Sequence, residues 1–119
     1  MERIKNGFAA LVLGATVSGN CHALTGDHLY RRCANLDDSM EDHAAKCNQL
    51  LVDAVMCRWY VLGIADALIE AEKVCPPNRI LDQQLAIATK EYLSVHPEYL
   101  SMDAAELVED ALIKAYPCK

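Results

Sequence analysis

Apolar side chains recur at the three- and four-residue spacing of an α-helix along most of the chain, and no stretch alternates in the way that a strand does. Thr25 is placed to cap a short first helix over residues 26–34. Ser39 and Asp42 then form a start signal like a capping box for a long second helix, which ends near Glu72. The wide apolar stripe of this helix predicts that one of its sides is buried.

Prolines mark where the helices end. The segment 75–78 (CPPN) separates the second helix from the third, because proline cannot continue a helix. The third helix is predicted over residues 81–95, and His96 followed by Pro97 stops it. Ser101 is expected to cap a fourth helix. The sequence therefore predicts an all-α fold, a small bundle of about four main helices.

The start of the chain has the features of an export signal. Positive charges precede residues 8–17 (FAALVLGATV), an uncharged and largely apolar stretch that is too short to span a membrane. Two cleavage points fit, after Gly19 or after Ala23, and the second is slightly preferred because the polar domain begins there. We therefore expect residues 1–23 to be a cleaved signal peptide, residues 24–119 to form one helical domain, and the protein to be periplasmic.

Cysteines in an exported chain usually form disulfides, and the four candidates are Cys33, Cys57, Cys75 and Cys118. A Cys57–Cys75 bond is disfavoured, because the few residues after the second helix cannot lead back to within about 7 Å of Cys57. Two pairings remain, Cys33–Cys57 with Cys75–Cys118, or Cys33–Cys75 with Cys57–Cys118. We favour the first, and each bond would stabilise the bundle by roughly 2–4 kcal/mol.

The state of Cys47 depends on the cleavage site. Cleavage after Ala23 leaves this thiol as the odd one, whereas cleavage after Gly19 retains Cys21 as a partner for it. Cys47 also stands four residues after His43 on one helical face, but two ligands do not make a zinc site. No catalytic triad, phosphate-binding loop or metal cluster stands out in the sequence. We therefore expect no catalytic, cofactor-binding or metal site.

The formal net charge of −6 argues against nucleic acid or an anionic membrane as a partner and is compatible with a basic protein. The connection between the third and fourth helices is the best candidate contact surface, since Tyr99, Leu100 and Met102 are unusually apolar for a loop. Together with His96 and Glu98 they are the predicted partner-binding residues. The alternative is that Tyr99 and Leu100 fold under as a hydrophobic staple on the fourth helix.

Several segments, taken in order, resemble one family. They are residues 24–27 (LTGD) before a helix that ends in Cys33, residues 57–67 (CRWYVLGIADA), residues 75–77 (CPP), residues 92–98 (YLSVHPE), residues 104–112 (AAELVEDAL) and residues 115–118 (AYPC). In this order and spacing the chain resembles the Rap/Tai family of immunity proteins from bacterial type VI secretion systems. It departs from the family pattern over residues 36–56, where the connection is longer.

The resemblance implies a periplasmic helical domain, often dimeric, that binds and blocks a peptidoglycan amidase effector. We therefore expect a non-enzymatic immunity protein that inhibits such an amidase by occluding its active site, works without a cofactor and forms a homodimer. The alternative is a periplasmic acid-stress chaperone of the small helical HdeA-like kind, since those proteins are also short, exported and stapled by disulfides.

Overall fold

In a computed structural model, the chain is described over residues 23–34, residue 36 and residues 48–119. The helices are α1 Gly26–Cys33, α2 Asn48–Glu70, α3 Asp82–Val95 and α4 Ala104–Ala115, with a 3₁₀ turn at Pro97–Tyr99 between α3 and α4. In these ranges extended backbone pairs at one isolated bridge, between Thr25 and Asp103. The predicted all-α bundle of four main helices is confirmed.

Some predictions concern residues outside the described ranges. These are the export signal that precedes Ala23, the Ser39 cap of the second helix, and the pair formed by His43 and Cys47. Among the described helices, none combines the length and the apolar character needed to cross a membrane.

The centre of the bundle is α2, which packs against α1, α3 and α4. Its inward face is the apolar stripe expected from the sequence, because residues three and four apart share one side of a helix. Buried residues of α2 and α4 form most of the core: Ala54, Cys57, Val61, Ala65 and Leu68 from α2, and Ala104, Leu107, Val108, Ala111 and Leu112 from α4. Burial of each valine or leucine among them stabilises the fold by about 1.5–3 kcal/mol.

In the part of the chain that the structure describes, two disulfides close the bundle, in the pairing that the sequence favours. The helix disulfide, Cys33–Cys57, joins the end of α1 to α2, and both of its residues are fully buried. The tail disulfide, Cys75–Cys118, joins the segment after α2 to the residues after α4, and both of its residues are exposed. The amide of Cys75 also donates to the carbonyl of Tyr116 at 2.9 Å, so the backbone helps to hold the tail.

A left-handed residue ends α2, within two residues of the predicted end. Glu72 has a φ of 57°. The amide of Lys73 donates to the carbonyl of Leu68 at 2.9 Å, and that of Glu72 donates to Ile69 at 3.0 Å. This pair of hydrogen bonds is a Schellman motif, in which the left-handed position is usually glycine. A glutamate in that conformation carries a backbone strain of about 1–2 kcal/mol.

The fourth helix begins later than predicted. Ser101 does not cap it; the N-cap residue is Asp103, whose side chain makes no capping hydrogen bond. The reason is that the backbone here is engaged with the start of the domain. The amide of Ala104 donates to the carbonyl of Leu24 at 2.7 Å, and Asp103 forms its bridge with Thr25. Pairing with a distant segment therefore holds Asp103 extended and delays the first helical turn.

Candidate partner-binding site

The α3–α4 loop, residues 96–102, contains all five predicted partner-binding residues. It starts with the single 3₁₀ turn, where Pro97 fixes φ near the helical value and has no amide hydrogen to leave unpaired. The amide of Tyr99 donates to the carbonyl of His96 at 3.0 Å, and the amide of Met102 donates to the carbonyl of Tyr99 at 2.9 Å. The loop is therefore shaped by its own backbone hydrogen bonds.

The first turn of α1 anchors this loop. The amide of Gly26 donates to the carbonyl of Met102 at 2.9 Å, and the amide of Asp27 donates to the carbonyl of Leu100 at 2.8 Å. Gly26 is buried, and a Cβ atom there would overlap the Leu107 side chain and lie 3.1 Å from the Leu100 Cα. Glycine at this position therefore allows the loop and α4 to approach α1 closely.

Three rings pack together where α3 meets the loop. The ring centroids of Tyr92 and His96 are 4.4 Å apart, and those of His96 and Tyr99 are 5.2 Å apart with the ring planes 19° from parallel. The imidazole Nδ1 lies 3.2 Å from Oε1 of Glu98, which accepts its hydrogen. The other nitrogen, Nε2, is buried and has no hydrogen-bond partner among the described residues. Packing between two phenol rings therefore fixes His96 in place.

The loop presents a carboxylate beside aromatic rings. A hydrogen bond from its own backbone amide, and after it one from His96, lowers the pKa of Glu98 below the ordinary value. Burial raises the pKa of Tyr92, and the charges of Asp110, Tyr99 and Glu98 raise it further. At neutral pH this arrangement can accept a hydrogen bond from a cationic or amide group and can place an aromatic face against it.

The five predicted residues differ in how much of each side chain is exposed to solvent. Tyr99 is 39% exposed and Met102 is 36% exposed, and the Glu98 side chain is 56% exposed. The His96 side chain is only 24% exposed, and Leu100 is half-buried against the hydrophobic core. The loop therefore has an outer surface and an inner support. Leu100 folds under against the core, but no staple on α4 is seen among the described residues, and Tyr99 stacks on His96 instead of folding under.

The sequence did not identify a groove that continues the site. It lies between α3 and α4, has a volume of about 380 Å³, and is lined in part by Tyr92, Val95 and Lys114. Val95 is 66% exposed, and the Lys114 ammonium lies 5.8 Å from the centroid of the Tyr92 ring. The available signal was the four-residue spacing between Tyr92 and His96, which brings the two rings close together at the end of α3.

The remaining chemistry of the surface is simple. In residues 23–34, 36 and 48–119, no group of three or more His, Cys, Asp or Glu side chains is arranged to hold a metal ion. What the α3–α4 loop offers is a shaped surface with two apolar side chains, Tyr99 and Met102, and one ionised carboxylate, that of Glu98. Side chains of these kinds are typical of protein–protein contacts.

Comparison with known proteins assigns the chain to a family. Residues 25–118 match the family of Rap1a immunity proteins. Neither the curated proteins nor the solved structures give a significant match. The matched region contains α1 to α4, the α3–α4 loop and both disulfides. The chain therefore belongs to the family of Rap1a immunity proteins.

Proposed function

We propose that this protein is a periplasmic immunity protein of a type VI secretion system. It binds a secreted peptidoglycan amidase and inhibits it by covering the active site of that enzyme. Membership of an immunity protein family supports the role of a toxin-binding inhibitor. The proposal also includes a homodimer, a domain that spans residues 24–119, and inhibition without any catalytic step by the immunity protein itself.

Export to the periplasm fits the covalent chemistry of the chain. The helix disulfide and the tail disulfide need an oxidising compartment to form and persist. Residues 1–23 would supply the cleaved signal that takes the chain there. An amidase that attacks peptidoglycan acts in the same compartment, so inhibitor and target would meet after export.

The rigid hold on the α3–α4 loop is the observation that carries the proposed mechanism. The loop is fixed to α1 by hydrogen bonds to Gly26 and Asp27, and Leu100 anchors it in the core. Tyr99 and Met102 nevertheless stay exposed. A loop that is already ordered loses little conformational entropy on binding, and exposed tyrosine and methionine are residues that protein interfaces favour. This loop is therefore the part of the surface best suited to enter the cleft of an enzyme.

The proposal can be tested by purification and inhibition. A carboxy-terminally tagged chain is isolated from the periplasm of its host, bound proteins are identified by mass spectrometry, and the amidase activity of any partner is assayed with and without the immunity protein. We expect a stoichiometric peptidoglycan amidase whose activity falls on mixing. Failure to bind or inhibit an amidase would contradict the proposal. Capture of many unrelated proteins, increasing at low pH, would favour the HdeA-like chaperone.

Substitutions in the loop test the proposed mode of inhibition. Tyr99→Ala should weaken binding of the amidase by about 10- to 100-fold. A tyrosine that becomes buried when a complex forms is a common interface hot spot. The matched control is Ile113→Ala, because Ile113 is 38% exposed and Tyr99 is 39% exposed. The control should leave the affinity nearly unchanged. Equal effects of the two changes in calorimetric titrations would rule out the loop as the principal contact.

A further inference from the structure

Large apolar side chains are exposed along one side of α2. Val52 and Met56 are each 49% exposed, and Trp59 is 68% exposed. Their spacing of four and three residues puts them on one helical stripe. Leu81, which is 66% exposed, directly precedes Asp82, and Asp82 lines the same pocket as Trp59. A group of exposed apolar side chains of this kind is typical of a site of protein contact.

The same stripe continues to a glycine that nothing in the described part of the chain requires. Gly63 lies four residues after Trp59 in the middle of α2 and is exposed. A Cβ atom placed on it would meet no other atom within 4 Å. Glycine in a helix interior is less stable than alanine by roughly 0.5–1 kcal/mol. A close approach of another backbone or a large side chain from outside this chain would explain why the position lacks a side chain.

Two opposite charges border this surface without pairing. Arg58 and Asp82 both line a pocket of about 120 Å³ next to Trp59. Neither side chain forms an ion pair with another described residue. A partner surface of one sign would satisfy only one of them. A second copy of the same surface carries both signs, and a two-fold axis would place each charge of one copy near the opposite charge of the other.

We infer that this surface, formed by Val52, Met56, Trp59, Gly63 and Leu81 and called the α2 outer face, pairs with the same face of a second copy. The inference rests on the homodimer of the proposed function and assigns its interface. Arg58 of each copy lies opposite Asp82 of the other, and Trp59 packs across α2 near the gap at Gly63.

The size of the α2 outer face fits this role. At 68% exposure, Trp59 alone offers on the order of 100–170 Å², because an aromatic side chain buries about 150–250 Å². The stripe from Val52 to Gly63 extends over about 16 Å at 1.5 Å per residue, and Leu81 widens it. Two such faces, together with their charged rims, approach the roughly 1,000 Å² of total buried area that a specific interface needs.

A charge exchange between Arg58 and Asp82 tests the pairing. Sedimentation equilibrium on the chain purified from the periplasm gives the dimer dissociation constant of the wild type and of the variants Arg58→Glu and Asp82→Arg. Each single change places like charges opposite each other twice in the dimer, so each should raise the constant by about 10-fold or more. Mixing the two variants restores both opposite-charge contacts, and a heterodimer of nearly wild-type affinity should form.

Trp59→Arg should abolish the dimer, while Ile113→Glu, a change of an exposed apolar residue on α4, should leave it intact. Circular dichroism checks that each variant is folded. A wild-type chain that is monomeric at roughly millimolar concentration would overturn the inference. So would a dimer that is insensitive to Trp59→Arg, or no recovery on mixing the charge variants. Amidase inhibition by the folded Trp59→Arg variant is measured separately, so failure of the dimer can be told from failure of the immunity function.

Discussion

Adding one methyl group to Gly26 should destabilise the protein, because the space around this residue is already filled. The new Cβ would overlap the buried Leu107 side chain and approach the Leu100 Cα and carbonyl oxygen at 3.1 and 3.2 Å. Overpacking of a filled core costs about 1–3 kcal/mol, whereas replacing a helical glycine by alanine gains about 0.5–1 kcal/mol. Gly26 is the first residue of α1. Because the helical gain is smallest there, we expect a net loss of about 1–2 kcal/mol for Gly26→Ala, or about 4–16 °C in Tm.

Urea unfolding of the oxidised protein, followed by circular dichroism, measures this loss. Gly63→Ala is the matched control, since Gly63 is exposed and its new Cβ would meet nothing. This control should stabilise the monomer by about 0.5–1 kcal/mol. Both changes are made in the Trp59→Arg background, so that the proposed dimer does not contribute to the free energy of unfolding.

A double-mutant cycle with Leu107→Val tests the cause. Valine lacks the terminal methyl that the new Cβ of Gly26→Ala would overlap. In that background the cost of Gly26→Ala should fall by about 1 kcal/mol or more, as expected for residues in contact. The reasoning is refuted if Gly26→Ala costs the same with leucine or valine at position 107. It is also refuted if Gly26→Ala stabilises the protein as Gly63→Ala does.

Three further outcomes are expected. Glu72→Gly should stabilise the protein by about 1 kcal/mol in urea unfolding, because it relieves the left-handed strain at the end of α2; no gain would contradict that account. Under native conditions, dithiothreitol should open the exposed tail disulfide before the buried helix disulfide, as seen by alkylation and mass spectrometry, and the reverse order would be incompatible with the structure. The pKa of Glu98 is lowered, so its contribution to stability is present above the ordinary glutamate pKa and is lost as the pH falls through the folded value. Carboxyl NMR titration should show His96→Ala raising that pKa only part of the way, since the backbone hydrogen bond remains.

Local signals in the sequence predicted the helices well, because each signal acts within a few residues. The apolar period located α2, and the prolines after α2 and α3 marked the breaks between helices. The limited reach of the chain between Cys57 and Cys75 excluded one disulfide pairing, and the structure has the favoured one of the two pairings that remained. The start of α4 was wrong because its cause is distant in sequence. Ser101 has the right side chain for a cap, but hydrogen bonding with the segment around Leu24 displaces the first helical turn to Asp103.

The candidate site was predicted as a segment and not as a surface. The apolar composition of residues 96–102 located the loop, yet composition could not tell that Leu100 turns inward while Tyr99 stays out. The extent of the outward face of α2 was not recognised from the sequence, for a similar reason. This helix is apolar on both sides, so hydropathy alone does not distinguish the stripe of Trp59 from the buried stripe of Val61. Only the packing of the other helices decides which stripe is covered.

The attachment of the α3–α4 loop to α1 has a consequence for when the protein becomes active. The loop is held in place by hydrogen bonds from Gly26 and Asp27, near the start of the domain, to the carbonyls of Met102 and Leu100, near its end. A short peptide copied from the loop would lack this support and would sample many shapes. If the chain is exported as proposed, a chain that is still crossing the membrane would lack it as well. Inhibition of the amidase would therefore begin only once the whole domain has folded. A mutation that delays folding would leave the cell exposed to the amidase for longer.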